Sequence, residues 1–379
     1  MMKRKCLCAI LCTLALISSA CGVDSSNIGN NFLENTNINK TSVRINTTKR
    51  KIRSTYYYDK LTDKEKSVYN KIRDGLLDVD EAIVFDKIKQ DDLIKVYEYI
   101  LLEYPEIFYM DESIVVVGDG ETGDFYGVKP KYTMTKEEIE STWSEIEDYK
   151  EKVLSDLTED MSSYELEKAI FDYIVDNTVY DEESDENQNM QSVVRGSSVC
   201  MGFAKMFKYL CEQCGIECIL ATGDGIRTGL GHAWDYVNLD GKWYVVDSSS
   251  ASSMIADRKA KDVKYLKFNI TNDIMAEKAA FDTEEVPQAD SIEENYFYVE
   301  GLYLESWDVE QFKEILQKAI DKGDESLTVR VDNYDVLDDL WHNLVGQEMI
   351  YDINEDYNYS FRKDETNLSF SLWWYEKEF

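Results

Sequence analysis

Gly231-His232-Ala233-Trp234-Asp235-Tyr236-Val237-Asn238-Leu239 runs into Asp240-Gly241 and on into Lys242-Trp243-Tyr244-Val245-Val246-Asp247. The two flanks alternate as strands do, and Asp-Gly between such runs is a strong signal for a two-residue hairpin loop. With those two residues as the loop, Leu239 faces Lys242 and Asp247 falls opposite Trp234. His232 then lies two residues further along the same face. That diagonal spans about 7–8 Å between backbones, within reach of an imidazole and a carboxylate. A four-residue loop keeps the parity, whereas an odd loop puts the two side chains on opposite faces. The chain has only two histidines. His342 sits beside the apolar stripe Leu337, Leu340, Trp341 and Leu344 of a C-terminal helix, so it is expected to be exposed or partly paired. His232 is left as the general-base candidate.

Upstream, Ser197-Ser198-Val199-Cys200-Met201-Gly202-Phe203-Ala204 opens a helix. Ser197 and Ser198 are natural N-caps. Phe203, Met206, Phe207, Leu210, Cys211 and Cys214 recur at helical spacing, and Gly215 stops the run. Cys200 stands in the first turn, where the positive end of the helix favours thiolate over thiol. Backbone N–H groups there suit an oxyanion, and Gly202 removes a side chain where substrate would approach. Taken alone, Cys200 reads as a core cysteine at the start of an apolar stripe. Taken with His232 and Asp247, it supplies a nucleophile, its base and the base's orienter. Local spacing does not bring the hairpin to Cys200.

These segments together resemble the core of the transglutaminase-like superfamily: Gly196 to Ala204, Leu210 to Ile216, Gly231 to Trp234 and Asp240 to Asp247. Val179-Tyr180-Asp181, after the preceding helix, also resembles the family pattern. The resemblance covers roughly residues 160–255. It implies an α+β, papain-like fold in which the cysteine helix packs on an antiparallel sheet whose neighbouring strands present His and Asp. It implies Cys200, His232 and Asp247 as the catalytic triad, with Tyr180, Gly202 and Trp234 beside the substrate cleft. Two positions depart from the family. Asp235 stands where bacterial members often have Asn, and Ser248-Ser249-Ser250 stand where Thr-Trp often follows the acidic residue.

Around this middle domain (161–285) the chain divides further. A basic start, an apolar run from Cys6 to Ile17 and Ser18-Ser19-Ala20-Cys21-Gly22 read as an export signal over 1–21, too short for a conventional transmembrane helix. Its tail resembles a bacterial lipobox, which implies lipidation at Cys21; ordinary cleavage near Ala20 is the alternative. Residues 22–55 read as a flexible stalk. Residues 56–160 form an N-terminal helical and α+β region: capping boxes at Thr62/Glu65 and Thr135/Glu138, a helix over 90–103, and strands over 113–117 and 124–133. Residues 295–379 form a C-terminal α+β module: strand 296–304, helix 308–322, strand 326–332, helix 334–345 and two closing strands.

Charge separates these parts. The whole chain carries −34. The signal holds +3, and the stalk has six basic and two acidic groups, leaving −41 for residues 56–379. Nucleic acid and anionic lipid are thereby repelled. A cationic substrate is permitted, but solubility explains the charge as well. Beyond the signal, the cysteines are Cys200, Cys211, Cys214 and Cys218. Their spacing matches no common zinc site; buried thiols are expected, with a disulfide involving Cys218 as the rival. No metal or cofactor is expected. The partner is a peptide or protein substrate, with the membrane touched only through the lipid. The expected chemistry is exported, thiol-dependent acyl transfer on amides, leaning to hydrolysis. The alternatives are crosslinking to an amine and a non-catalytic surface scaffold.

Overall fold

The computed structural model describes residues 15–16 and 52–376, apart from 120–121, 159, 183–187, 258–259 and 261. All of the expected export signal but Ala15 and Leu16 (Cys21 included), most of the expected stalk, and residues 183–187 therefore lie outside the described residues.

The N-terminal region comprises α1 (Asp63–Leu77), β1 (Ile83–Ile88), α2 (Gln90–Glu103), β2 (Met110–Gly118), β3 (Phe125–Tyr132) and α3 (Lys136–Leu154). Both expected capping boxes form: the Thr62 and Thr135 hydroxyls accept from the N–H groups of Glu65 and Glu138. The three strands pair antiparallel with β3 in the middle, and Ala15–Leu16 pairs in parallel with β2. The stalk ends sooner than expected. Arg53 donates to Glu106 Oε1 at 2.6 Å and to the Glu103 carbonyl at 2.7 Å, and it lies 3.8 Å from the centre of the Tyr104 ring. A buried carboxylate with a guanidinium in reach is costly to leave unpaired, and this pairing fixes residue 53 to the body.

The middle domain comprises α4 (Ser163–Asn177), α5 (Cys200–Gln213), β4 (Glu217–Gly225), β5 (Gly231–Leu239), β6 (Lys242–Val246), α6 (Ser248–Asp257) and β7 (Ala279–Ala280). The antiparallel sheet runs β7-β4-β5-β6. Helix α5 packs against β4 and β5. A buried Lys208–Glu212 ion pair at 2.6 Å helps fix it: Lys208 also donates to the Cys218 carbonyl at 2.6 Å, so the helix is tied to β4. The fold is α+β, with the cysteine-bearing helix on an antiparallel sheet.

The C-terminal module comprises β8 (Tyr303–Leu304), α7 (Val309–Asp321), β9 (Ser326–Val331), α8 (Tyr334–Trp341), β10 (Tyr357–Asp364) and β11 (Ser369–Glu376), with sheet order β8-β9-β11-β10. One apolar core runs from Tyr57 to Phe297, and a second, from Leu304 to Trp374, fills this module. The expected strand over 296–304 is not continuous. Asn295 caps a helical turn, Tyr296–Val299, by accepting from the Phe297 N–H; Gly301 at φ +70° reverses the chain, and two strand residues remain. The helix expected to end at 345 gives way at His342 to a π-helical turn, His342–Gly346, and His342 is exposed. Strands β1 and β4 had no counterpart in the expectations.

Candidate active site

The hairpin closes as its parity predicts. Leu239 pairs with Lys242 and Asp235 with Val246, and the loop residues Asp240 and Gly241 take φ of 52° and 85°. Both are left-handed, the conformation that a tight I′-type turn demands. His232 Nε2 meets Asp247 Oδ2 at 2.9 Å. Asp247 also begins α6: its Oδ1 accepts from the Ser250 N–H and the Ser249 hydroxyl, both at 3.0 Å. Two of the three serines that depart from the family, Ser249 and Ser250, thus hold the carboxylate in place.

Gly223 lies opposite His232 across β4 and β5. A Cβ there would stand 2.6 Å from the Ala280 carbonyl and 2.8 Å from Trp234 Cη2. The missing side chain lets Trp234 and β7 close in behind the histidine. The Trp234 ring lies 5.9 Å from the His232 ring and 5.3 Å from Phe281, and it is only 1% exposed. Trp234 therefore backs the histidine from within the core instead of facing the cleft. Gly202 is likewise buried in the first turn of α5. Tyr180 does line the cleft. A two-residue parallel ladder, Val179 with Ser197 and Tyr180 with Ser198, brings it beside Cys200.

The N-cap of α5 is Val199, not a serine, and no side chain caps it. Ser198 instead hydrogen-bonds the Ser192 hydroxyl at 2.6 Å. The first-turn N–H groups around Cys200 are left without a side-chain acceptor, which suits an oxyanion. The Cys200 thiol stands within hydrogen-bonding reach of His232. Since Nε2 is engaged by Asp247, Nδ1 is the nitrogen left for the thiol.

Electrostatics follow from this geometry. Burial alone would lower the imidazolium pKa, but the Asp247 carboxylate and the Cys200 sulfur outweigh it, and His232 is pushed up to about 10. Asp247 is fully buried, which works against its charge; the His232 ring and Lys267 more than offset this and hold it well below the usual carboxylate range. The His232 side chain keeps 21% of its surface in solvent, so a substrate can reach it.

Cys211 and Cys218 are buried and unsuited to nucleophilic attack, whereas Cys214 is only half-buried. All four described cysteines are free, so the disulfide considered for Cys218 does not form. Burial raises the pKa of Cys211 and pushes Cys218 further up. Cys218 Sγ donates to Asp235 Oδ1 at 3.7 Å. Asp235 itself is fully buried, and burial raises its pKa well above the ordinary value. A protonated carboxyl has nearly the shape of an amide and also carries a donor. Asp235 can thus occupy the position where the family often has Asn.

A cleft of 770 Å³ opens at His232. The middle domain lines it with Tyr180, Ser249, Ser250, Lys267 and Lys278, and the turn between β10 and β11 forms the opposite wall. Lys267, Lys278 and the wall residues 364–367 were not anticipated from sequence; no motif marks them, because they converge only through tertiary packing.

A sequence model of the transglutaminase-like superfamily matches residues 151–248. The kyphoscoliosis peptidase of Mus musculus is 28% identical over 127 residues, covering 29% of this chain and 19% of that protein. Its Homo sapiens counterpart is 27% identical over 122 residues, covering 28% and 18%. The chain thus spans less than a fifth of the length of these curated relatives. A TGase crystal structure superposes with a TM-score of 0.27 at 18% identity, covering 44% of this chain and 50% of that one. Residues 151–248 thus form a domain of the transglutaminase-like superfamily.

Proposed function

We propose that the protein is an exported thiol-dependent acyl-transfer enzyme acting on peptide or protein amides, held at the bacterial membrane surface by lipid on Cys21. The observation that carries this is one continuous chain of contacts: Cys200 in reach of His232, and His232 on Asp247 at 2.9 Å. The thiolate attacks the amide carbonyl, and the oxyanion is held by N–H groups at the start of α5. As the C–N bond breaks, the imidazolium gives its proton to the leaving amine, and a thioester remains on Cys200. Water then attacks the thioester, His232 takes its proton, and a carboxylate leaves as the thiolate returns. Hydrolysis is favoured over crosslinking, since water reaches an open cleft without a dedicated acceptor pocket.

Wild type and Cys200→Ala, incubated with cell-surface extract and compared by mass spectrometry, test this. New termini or deamidated side chains only with wild type are expected. Isopeptide bonds would instead mean transfer to amines. Identical spectra for the two proteins would leave a surface scaffold and end the enzyme reading.

A further inference from the structure

The body of the protein is strongly acidic, yet basic side chains meet at the interior of the junction between the middle domain and the C-terminal module. Lys267 is 6% exposed and lines the same cleft as His232. It ends a 3₁₀ turn, Val263–Lys267, whose last carbonyl accepts from the Asp247 N–H at 2.9 Å. Lys278 lies beside it and also lines the cleft. Its ammonium reaches across the junction to Asn367 Oδ1 at 2.7 Å and the Thr366 carbonyl at 3.2 Å. Arg330 on β9 stands behind both. It is 1% exposed, and neither terminal guanidinium nitrogen has a hydrogen-bond partner. It lines a 300 Å³ cavity that shares Glu277, Glu365 and Thr366 with the cleft.

None of these three cations forms an ion pair within 4 Å with a described carboxylate. The carboxylates nearby are already committed or peripheral. Asp247 is held by His232, and Asp364 accepts from Asn367 at 2.9 Å. Glu277 and Glu365 are exposed, and Glu365 pairs with Lys363 at 3.1 Å. Burial lowers the pKa of Lys278 and, with Lys278 alongside, pushes Lys267 well below the usual lysine range; a nearby anion would hold both charged, and both face the open cleft at His232. An anion supplied by the substrate would complete them.

We propose that Lys267 and Lys278, backed by Arg330, bind a carboxylate of the peptide substrate close to the carbonyl that Cys200 attacks. The substrate class is therefore a peptide with an acidic side chain or a free α-carboxylate beside the reacting amide. This rests on the thiol acyl-transfer reading of the site. It also separates the local charge of the cleft from the global acidity, which by itself would favour cationic ligands. The C-terminal module gains a role as well: its β10–β11 turn positions Lys278 and closes the carboxylate end of the cleft.

Three bromoacetylated dipeptides test the proposal on the full chain. Bromoacetyl-Ala-Glu-amide carries a side-chain carboxylate, bromoacetyl-Ala-Gln carries a free α-carboxylate, and bromoacetyl-Ala-Gln-amide is neutral. In each case the thiolate displaces bromide and forms a thioether, and mass spectrometry gives the rate at Cys200. At least one acidic probe is expected to label about tenfold faster than the neutral one, and which one does so identifies the source of the carboxylate. That acidic-to-neutral ratio is expected to fall to about two or less in Lys267→Met and Lys278→Met. It is expected to stay unchanged in Lys313→Met, which alters an exposed lysine on α7. Lys278 is only partly buried, so Lys278→Met carries the test if Lys267→Met does not fold. Equal rates for acidic and neutral probes in wild type, or a ratio that survives both substitutions, would overturn the anion site. Failure of all three probes to label Cys200 ahead of Cys214 would overturn the thiol-enzyme reading, and this proposal with it.

Discussion

Asp247 carries more of the site's electrostatics than its distance from the thiol suggests. It is buried, it N-caps α6, and it holds His232 at 2.9 Å. Its charge outweighs the burial that would otherwise keep the imidazole neutral. The pH dependence follows with a definite sign. The imidazolium must protonate the leaving amine, so amide turnover should persist on the alkaline side until about pH 10 and fall above it. Asp247→Asn keeps the shape and removes the charge. Only the Cys200 sulfur then opposes burial, and the alkaline limb should move down from about pH 10 toward the ordinary imidazole value of 6.5. Turnover at its optimum should drop about 10²- to 10⁴-fold, as read from pH profiles of kcat/KM. An unchanged alkaline limb would show that Asp247 does not set the protonation of the ring. At this scale much was legible beforehand. The scarcity of histidine and the Asp240-Gly241 loop together gave the His232–Asp247 pairing. Trp234 was misplaced, because alternation along β5 says which face a side chain takes but not whether substrate or Phe281 covers it.

Among the elements, the β5–β6 hairpin does most to make the site. Its loop residues both sit at positive φ, and Gly241 is the one for which a side chain is most strained. Gly241→Val should cost about 1–3 kcal/mol, measured by urea denaturation, with Cys200 alkylation slowed only as far as the fraction folded falls. A larger loss of reactivity than of stability would mean that the loop is being repaired by a register shift that breaks the His232–Asp247 pair. The helices were legible from their caps, as α1 and α3 show. Strand β4 was not: residues 218–221 are buried without alternation, and such a run carries no period-2 signal. The segment 296–304 looked continuous because its aromatic residues suit a strand, whereas the Asn295 cap and Gly301 decide its shape locally.

In the whole molecule, the two apolar cores meet at a junction that is polar, lined by basic side chains and open to solvent. The resemblance to the transglutaminase-like superfamily covers only the middle of the chain, and it is silent on the module that forms the far wall of the cleft. That wall could not be foreseen, because residues 364–367 reach Lys278 only once both cores have formed. The chain therefore presents an imidazole and a pair of basic side chains along one cleft, with the thiol in reach of the imidazole. The presence of only two histidines makes its central feature directly observable. Histidine-labelled protein gives two imidazole signals by NMR, assigned by His342→Gln. In a titration of the full chain, the His232 ring should remain protonated to about pH 10 and lose that protection in Asp247→Asn. A His232 signal that titrates near pH 6.5 in the wild type, unaffected by Asp247→Asn, would contradict the triad.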